Sequence, residues 1–225
     1  MSELIALDLF CGAGGATRGL QHAGFRVVGV DIRPQPRYCG DVFIQADAMT
    51  FDVEGFDFVW ASPPCQKYTA LKTVWNYKDI HPDLIEPVRE KLTQSGIPFV
   101  IENVEGAPLL HPIRLCGTGF NLGVTVYDGW RQLRRHRLFE SNLPLDGIGC
   151  AHSGATIGIY GDHARDRRRK PGLRDRGTDF ADSDKLNLGM AAMRMDWVGR
   201  WKELCEAIPP AYSEFIGRQI VGMIS

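Results

Sequence analysis

The sequence lacks an excess of basic charge and a long apolar run, and each absence excludes a class of protein. Its 26 Lys and Arg residues are balanced by 27 Asp and Glu residues, so any contact with a polyanion requires a local basic patch. The apolar part of the opening MSELIALDLF is too short to span a membrane, and it carries no basic segment or cleavage signal. We therefore expect a cytoplasmic protein without a membrane anchor.

The sequence also lacks a C-x-x-C pair, the commonest sign of a zinc site or a redox site. The six cysteines are widely spaced at Cys11, Cys39, Cys65, Cys116, Cys150 and Cys205. This spacing argues against zinc, and we predict no metal. An even number of cysteines permits disulfides, but without a secretory signal we expect reduced thiols in a reducing cytosol.

Residues 1–140 alternate short strand-like runs with helical stretches, as α/β proteins do. The near-continuous apolar runs RVVGVD and PFVIEN are typical of parallel strands that are covered on both faces. The pattern predicts a doubly wound, mostly parallel sheet in a domain covering residues 1–140. The predicted strands are Leu4 to Phe10, Phe25 to Asp31, Val42 to Ala46, Phe56 to Ala61 and Pro98 to Val104.

The remainder of the chain divides into two segments. Residues 141–187 are rich in Gly, Asp and Arg and have little periodicity, which predicts a small irregular insert. Residues 188–225 regain a helical pattern, and Pro209 and Pro210 suit a helix start. The last helix is predicted to pack back on the domain of residues 1–140 through one apolar face, formed by Tyr212, Phe215, Ile216, Ile220 and Met223.

The stretch LDLFCGAGGATRGL, residues 7–20, reads as a strand, a glycine turn and the start of a helix. Such turns bring the backbone close to a ligand, and Asp31, nineteen residues after Gly12, is placed to accept ribose hydroxyls. Thr17 stands where a dinucleotide-binding loop has its third glycine, so an adenosine cofactor without a pyrophosphate fits better than NAD. A tight turn that binds nothing is the alternative.

The stretch SPPCQ, residues 62–66, follows an apolar strand. Two prolines end the strand and stiffen the turn, which holds Cys65 on a rigid platform at the carboxyl end, where ligands bind in open α/β sheets. IENV places Glu102 and Asn103 at the end of the next strand. A lone cysteine is usually a small buried apolar residue, but its occurrence with Glu102 after a glycine loop indicates a catalytic pair.

Two arginine-rich stretches follow. In RRHRLFE, residues 134–140, Arg135 and Arg137 share one side of the chain and an apolar strand comes after them. Residues 163–176, HARDRRRKPGLRDR, hold seven Lys or Arg residues against two Asp residues. Such a patch predicts phosphate contacts, and a solvated loop is the alternative.

The ordered set DLFCGAGG, VDI, SPPCQ and IENV resembles the DNA (cytosine-5)-methyltransferase family. The resemblance implies a Rossmann-like fold and S-adenosyl-L-methionine as cofactor, with Phe10 on the adenine, Asp31 on the ribose and Asp47 on the adenine amino group. It covers residues 5 to about 140 well and residues 188 to 222 loosely. The cofactor-binding residues that it implies are Phe10, Cys11, Gly12, Gly14, Gly15, Asp31, Ile32, Asp47, Ala48 and Pro63.

The resemblance also implies a mechanism on DNA in a bacterial or phage-infected cell. Cys65 would add to C6 of a cytosine extruded from the helix, so that C5 can accept a methyl group, while a protonated Glu102 donates to N3. Arg135 and Arg137 would contact the target phosphate and help to hold the base and the thiolate, and Asn103 would brace the loop. The substrate-binding residues that it implies are Pro64, Gln66, Asn103, Arg167, Arg168 and Arg169.

Several alternatives stay open at this point. Residues 141–187 occupy the place of the family's target-recognition insert and are short for it, so a brief recognition site, a relaxed one or an RNA substrate is compatible with the same chemistry. A free pyrimidine nucleotide is a further alternative substrate. A nucleic-acid-binding relative without activity and a nicotinamide oxidoreductase are the other two candidates. We expect a monomer that binds DNA.

Overall fold

The computed structural model describes residues 3–68, 82–161, 163–167 and 178–225, and the side chains of residues 163–167, 178, 179 and 182 lie outside the description. Its larger sheet has seven strands in the order β3-β2-β1-β4-β5-β9-β6. They are β1 (Ile5–Leu9), β2 (Arg26–Asp31), β3 (Val42–Gln45), β4 (Phe58–Ala61), β5 (Phe99–Asn103), β6 (Ile113–Leu115) and β9 (Arg137–Ser141).

Strands β1 to β5 are parallel, and β9 runs antiparallel to both of its neighbours, β5 and β6. The five strands predicted from the apolar runs are confirmed, with ends that differ by one or two residues. The strand predicted after the second arginine is also confirmed, as β9. The sheet order turns at β1 and β4, because the chain continues to β2 on one side and to β5 on the other.

Helices cover both faces of this sheet, which confirms the doubly wound arrangement. Phe58 and Trp60 of β4 pack in a core with α1 (Gly15–Ala23) and α5 (Pro210–Ile224). Val59 and Ala61, the alternate residues, pack on the other face with α2 (Ile85–Ser95). Because successive side chains of a strand point to opposite faces, a strand covered on both faces has to be apolar throughout.

Helix α5 packs closely against α1. A Cβ atom on Gly19 of α1 would lie 2.1 Å from the carbonyl oxygen of Pro210, so only glycine permits this approach. Pro210 is the first residue of α5, as predicted, because its missing N–H is not needed there. Tyr212, Ile216 and Ile220 form the buried face, whereas Met223 is 43% exposed, so its assignment to that face was wrong.

The smaller sheet has five strands in the order β12-β11-β10-β8-β7. The strands are β7 (Gly123–Val126), β8 (Gly129–Leu133), β10 (Thr156–Tyr160), β11 (His163–Arg167) and β12 (Thr178–Asp179). Residues 141–187, expected to be irregular, therefore contain three strands, and the sheet also uses residues that precede position 140. The chain crosses between the two sheets at residues 134–136, directly between β8 and β9.

Two further α-helices and one short 3₁₀ helix (Gly117–Phe120) lie among the described residues. Helix α3 (Asp182–Met193) begins before the predicted position 188, and α4 (Trp201–Glu206) is separate from it. Among the described residues, no helix combines the length and apolar character that a membrane crossing requires.

Candidate active site

The glycine loop joins β1 to α1 and leaves open space at one position. Phe10, Gly12 and Gly14 all have positive φ angles, of 61°, 51° and 90°, so the turn is tight and Phe10 is held in a conformation that L residues rarely adopt. Nothing lies within 4 Å of the place where a Gly12 Cβ would be. At Gly14 that place is 2.7 Å from the sulfur of Cys39. Gly12 therefore faces a space that a ligand could enter, whereas Gly14 permits packing.

Asp31 connects the end of β2 to the glycine loop. Its Oδ2 accepts a hydrogen bond of 3.0 Å from the Gly12 N–H, and its Oδ1 accepts one of 2.9 Å from Arg33 N–H. Ile32, beside it, is 65% exposed, which is unusual for a large apolar side chain. The carboxylate and this apolar side chain lie together at the carboxyl edge of the sheet.

Some of the other residues of the predicted cofactor site are accessible to a ligand, and the rest are buried. Phe10 is half-buried, and Asp47 is exposed after β3, with its Oδ1 accepting from the Met49 N–H at 2.9 Å. Cys11, Gly15, Ala48 and Pro63 are buried and form the packing beneath these loops. Burial also raises the pKa of the Cys11 thiol, so Cys11 stays protonated.

Asp8, which sequence reasoning missed, lies in β1 beneath the glycine loop and is not exposed at all. One carboxyl oxygen accepts a 2.5 Å hydrogen bond from the Thr17 hydroxyl, and the other has no hydrogen-bond partner among the described residues. Burial raises the pKa of Asp8 to about 7, although the Thr17 hydroxyl opposes the shift. Thr17 therefore has a defined role at the position where a dinucleotide-binding loop has glycine.

The loop that carries Cys65 is held from both neighbouring strands. Ser62 N–H donates to the carbonyl oxygen of Leu9 in β1 at 3.1 Å. The Asn103 side chain, at the end of β5, donates to the carbonyl oxygen of buried Pro63 at 2.9 Å, so Asn103 braces the loop as predicted. Cys65 itself is half-buried, and its carbonyl oxygen accepts from Tyr68 N–H at 2.9 Å.

Glu102 and Arg137 form an ion pair beside this cysteine. The Glu102 Oε1 lies 3.1 Å from the Arg137 Nε, and both side chains are mostly buried. Burial raises the pKa of Glu102, and Arg137 and a hydrogen bond from Ser62 only partly offset it. Burial also raises the pKa of Cys65, while Arg137 lowers it and Glu102 raises it further. Arg137 and Glu102 therefore act in opposite directions on the ionisation of Cys65.

Arg135 departs from the predicted arrangement, since its guanidinium is buried and held by backbone carbonyl oxygens, whereas that of Arg137 pairs with Glu102. It donates to the carbonyl oxygens of Ile159, Cys205 and Ala207, at 2.8, 2.5 and 2.7 Å. Its own carbonyl oxygen accepts from the Tyr212 hydroxyl at 2.5 Å. Burial lowers the pKa of Arg135 to about 10, with Arg137 contributing. This geometry gives Arg135 a positioning role rather than the expected contact with a phosphate.

The predicted substrate residues are placed unevenly. Pro64 is half-buried and Gln66 is exposed, on either side of Cys65. Arg167 belongs to β11 but its side chain lies outside the description, and Arg168 and Arg169 lie outside the described residues. The predicted basic patch is therefore not tested.

Two cysteines and two histidines form a cluster that includes His136, the residue before Arg137. They are Cys116, His136, Cys150 and His152, and their ligand atoms all lie within 4.8 Å of one another. The cysteine spacing, from which no zinc site was expected, does not reveal this cluster. Its four residues come from three segments that are distant in sequence. The signal that could have found it is the Cys150-Ala151-His152 pair together with the histidine between two arginines.

No protein-family model and no curated protein matches this sequence. Two of the solved structures that match this chain cover 99% of it or more. One is described as a DNA modification methyltransferase encoded within an E. coli prophage, with a TM-score of 0.60, 13% identity and 99% coverage of both chains. The other is the Entamoeba histolytica methyltransferase EhMeth, with a TM-score of 0.59, 9% identity and full coverage of both chains. At these identities the similarity shows that the chain has the Rossmann-like α/β fold of these methyltransferases.

Proposed function

We propose that this protein transfers a methyl group from S-adenosyl-L-methionine to C5 of cytosine in DNA. The observation that carries the proposal is that Cys65, Glu102 and Arg137 lie at one edge of the sheet, where β4 and β5 end and the antiparallel β9 begins, next to the glycine loop. Ligands of open α/β sheets bind at this edge, where the strand order turns. The resemblance of the motifs to the cytosine-5 family supports the same assignment.

The residues present fit S-adenosyl-L-methionine at this edge. The open space at Gly12 admits a ligand, the Asp31 carboxylate suits ribose hydroxyls, and exposed Ile32 and half-buried Phe10 offer apolar surface for an adenine. Asp47 is exposed and free to accept from an exocyclic amine. When bound, this cofactor supplies a methyl group on a positively charged sulfur.

Cys65 would act as the nucleophile. Cytosine C5 is a poor nucleophile until the ring loses its aromaticity, and a bond between the Cys65 sulfur and C6 achieves this by shifting electron density toward C5 and N3. Arg137 favours the thiolate that this bond requires, against the effect of burial. The sulfur leaves again when C5 loses its proton after methylation.

Glu102 would serve as the acid beside the base. Its raised pKa favours the protonated form, which can donate to N3 as negative charge develops there. The 3.1 Å contact from Arg137 Nε to Glu102 Oε1 orients the carboxyl group and is compatible with a proton on Oε2, and the position of Glu102 in β5 keeps it in register with the Cys65 loop. Two titratable groups with different tasks therefore stand at one edge of the sheet.

DNA is the proposed substrate because the full-length structural neighbour from the E. coli prophage is described as a DNA modification methyltransferase. A base inside a duplex cannot reach a buried thiol, so we propose that the target cytosine is flipped out of the helix. The basic residues at 163–176 would supply phosphate contacts.

A comparison of substrates tests this proposal. Transfer of tritiated methyl groups is measured on duplex DNA, single-stranded DNA, tRNA and dCMP, and bisulfite sequencing of the product then locates the modified base. We expect labelling of DNA, with protection of cytosines from deamination. Labelling of tRNA or dCMP alone would contradict the substrate, and labelling of none of the four would contradict the activity.

Replacing Cys65 by Ala tests the role of the thiol. The loss of the attacking group is expected to reduce methyl transfer at least about 10³-fold, while calorimetry still detects S-adenosyl-L-methionine binding. Cys205→Ala is the matched control, since Cys205 is also half-buried and its thiol is not part of the proposed chemistry. Turnover by Cys65→Ala comparable with that of the control would refute the mechanism.

A further inference from the structure

The four ligand atoms of the Cys116, His136, Cys150 and His152 cluster already have the spacing of a coordination shell. His136 Nε2 lies 3.2 Å from His152 Nε2, the Cys116 sulfur lies 3.3 Å from His152 Nε2, and the Cys150 sulfur lies 3.5 Å from His136 Nε2. A tetrahedron built with ordinary zinc bond lengths has edges of about 3.4 Å between two nitrogens and about 3.6 Å between nitrogen and sulfur. These three of the six distances lie within about 0.3 Å of the tetrahedral edges, and the other three are no longer than 4.8 Å.

We propose that Cys116, His136, Cys150 and His152 bind one Zn²⁺ ion in a closed tetrahedral site. Two thiolates and two imidazole nitrogens are the donors that zinc prefers, and all four positions are filled by protein. A site without an open position has no place for a substrate or a reactive water, so its role is structural.

Groups around the cluster support this assignment. His136 turns Nε2 toward the cluster while its Nδ1 lies 3.1 Å from the carboxylate of Glu105, which is the usual partner of a zinc-bound histidine. The Thr118 hydroxyl donates to the Cys116 sulfur at 3.3 Å. It also accepts from the N–H of Ala151, the residue between Cys150 and His152, at 3.2 Å. Each sulfur-bearing segment is thereby fixed to the other.

One contact has to change when metal binds. Arg134 Nη2 lies 2.9 Å from His152 Nδ1, and a guanidinium can only donate. When His152 Nε2 holds the metal, Nδ1 carries the proton of the neutral ring, so two donors would face each other. Arg134 is exposed and its long side chain can turn into solvent.

A disulfide between Cys116 and Cys150 is the competing use of the two thiols. A disulfide would not explain why the Nε2 atoms of both histidines lie together beside the two sulfurs. Nor would it explain why Glu105 contacts His136 Nδ1 and the Thr118 hydroxyl donates to the Cys116 sulfur. Zinc accounts for all four side chains together.

The site joins segments that belong to both sheets. Cys116 follows β6, His136 precedes β9, and Cys150 and His152 precede β10. Gln132 of β8 holds the same loop through hydrogen bonds to Ala151 and Ser153. Because His136 lies between Arg135 and Arg137, a metal here would fix the segment that supplies Arg137 to Glu102.

Metal analysis of the purified reduced protein tests the proposal. We expect about one zinc per chain by mass spectrometry, and Co²⁺ in its place should give the absorption of a tetrahedral site with thiolate ligands. Cys150→Ser and His152→Ala should each lose most of the bound zinc and that cobalt spectrum. Cys205→Ser, which changes a thiol outside the cluster, should keep both.

The wild-type measurement decides the matter even where a variant fails to fold. A reduced protein that holds no zinc and gives no tetrahedral cobalt spectrum would overturn the proposal. So would a Cys116 to Cys150 disulfide, found by peptide mass spectrometry in protein that carries no metal. Chelation of the bound zinc should lower the melting temperature of the wild type and leave that of Cys150→Ser almost unchanged.

Discussion

At the scale of single residues, the buried carboxyl group of Asp8 makes the stability of the protein depend on pH. Its folded pKa of about 7 lies above the ordinary value of 3.8, because burial penalises the carboxylate. A group whose pKa is raised on folding contributes stability at low pH, and that contribution is lost as the pH rises through the folded value. The stability that Asp8 contributes is therefore lost between about pH 4 and pH 7.

Asp8→Asn should remove this pH dependence. The free energy of unfolding of the variant, relative to the wild type, should increase by about 4 kcal/mol between pH 4 and pH 8, because the amide never has to be ionised. Urea unfolding at several pH values measures the difference. Thr17→Ala, which removes the hydrogen bond that favours the carboxylate, should move the change to higher pH. Parallel curves for the wild type and Asp8→Asn would contradict this account.

The residues of the candidate site could be predicted where they follow a strand that the sequence pattern identifies. Cys65 and Glu102 follow or end apolar strands, and parallel strands bring such ends to one edge. Asp8 reads as an ordinary polar residue in a strand, and Arg135 has the same sequence environment as Arg137. Their different roles come from partners that lie up to 77 positions away or across a turn, such as Tyr212 and Thr17, which no local pattern records.

At the scale of elements, the contact between α1 and α5 depends on the missing side chain at Gly19. Gly19→Ala should destabilise the protein by about 1–3 kcal/mol, since the new methyl group overlaps backbone atoms that cannot move aside. Gly222→Ala in α5 is the matched control. It has nothing within 4 Å and should gain about 0.5–1 kcal/mol from helix propensity. Thermal or urea unfolding measures the stability of both variants. Equal changes in stability would contradict the close contact between α1 and α5 at Gly19.

The elements were predicted well where local pattern and burial coincide. The parallel strands are apolar along their whole length, which is unambiguous in sequence. The strands β10 to β12 were missed because the apolar run Thr156–Tyr160 is short and gains its cover from β8 and α4, which are distant in sequence. The hairpin β7 to β8 carries the Asp128-Gly129 pair that favours such turns, so its signal was present.

At the scale of the whole molecule, Arg135 connects the two sheets and the C-terminal helices. Its three hydrogen bonds reach β10, α4 and the segment between α4 and α5, while its backbone accepts from Tyr212 of α5. The cysteine and histidine cluster adjoins it at residue 136. The segment that delivers Arg137 to the candidate site is thus held from several sides.

Arg135→Ala should therefore unfold more easily than its neighbour Arg134→Ala. Loss of Arg135 leaves buried carbonyl oxygens without a donor, which should cost at least about 3 kcal/mol. Arg134 is exposed, so its replacement should cost no more than about 0.5 kcal/mol. Denaturant titration of both variants gives the comparison, and similar losses would contradict the positioning role of Arg135.

The central claim is that the Cys65 sulfur forms a transient bond to C6 of a cytosine. Duplex DNA with randomised sequence, in which 5-fluorocytosine replaces cytosine, tests it directly, because fluorine at C5 cannot leave as a proton does and the bond to sulfur persists. With S-adenosyl-L-methionine present, we expect an adduct that survives denaturation and maps by peptide mass spectrometry to Cys65. An adduct on another residue, or none from protein that methylates unmodified DNA, would contradict the claim.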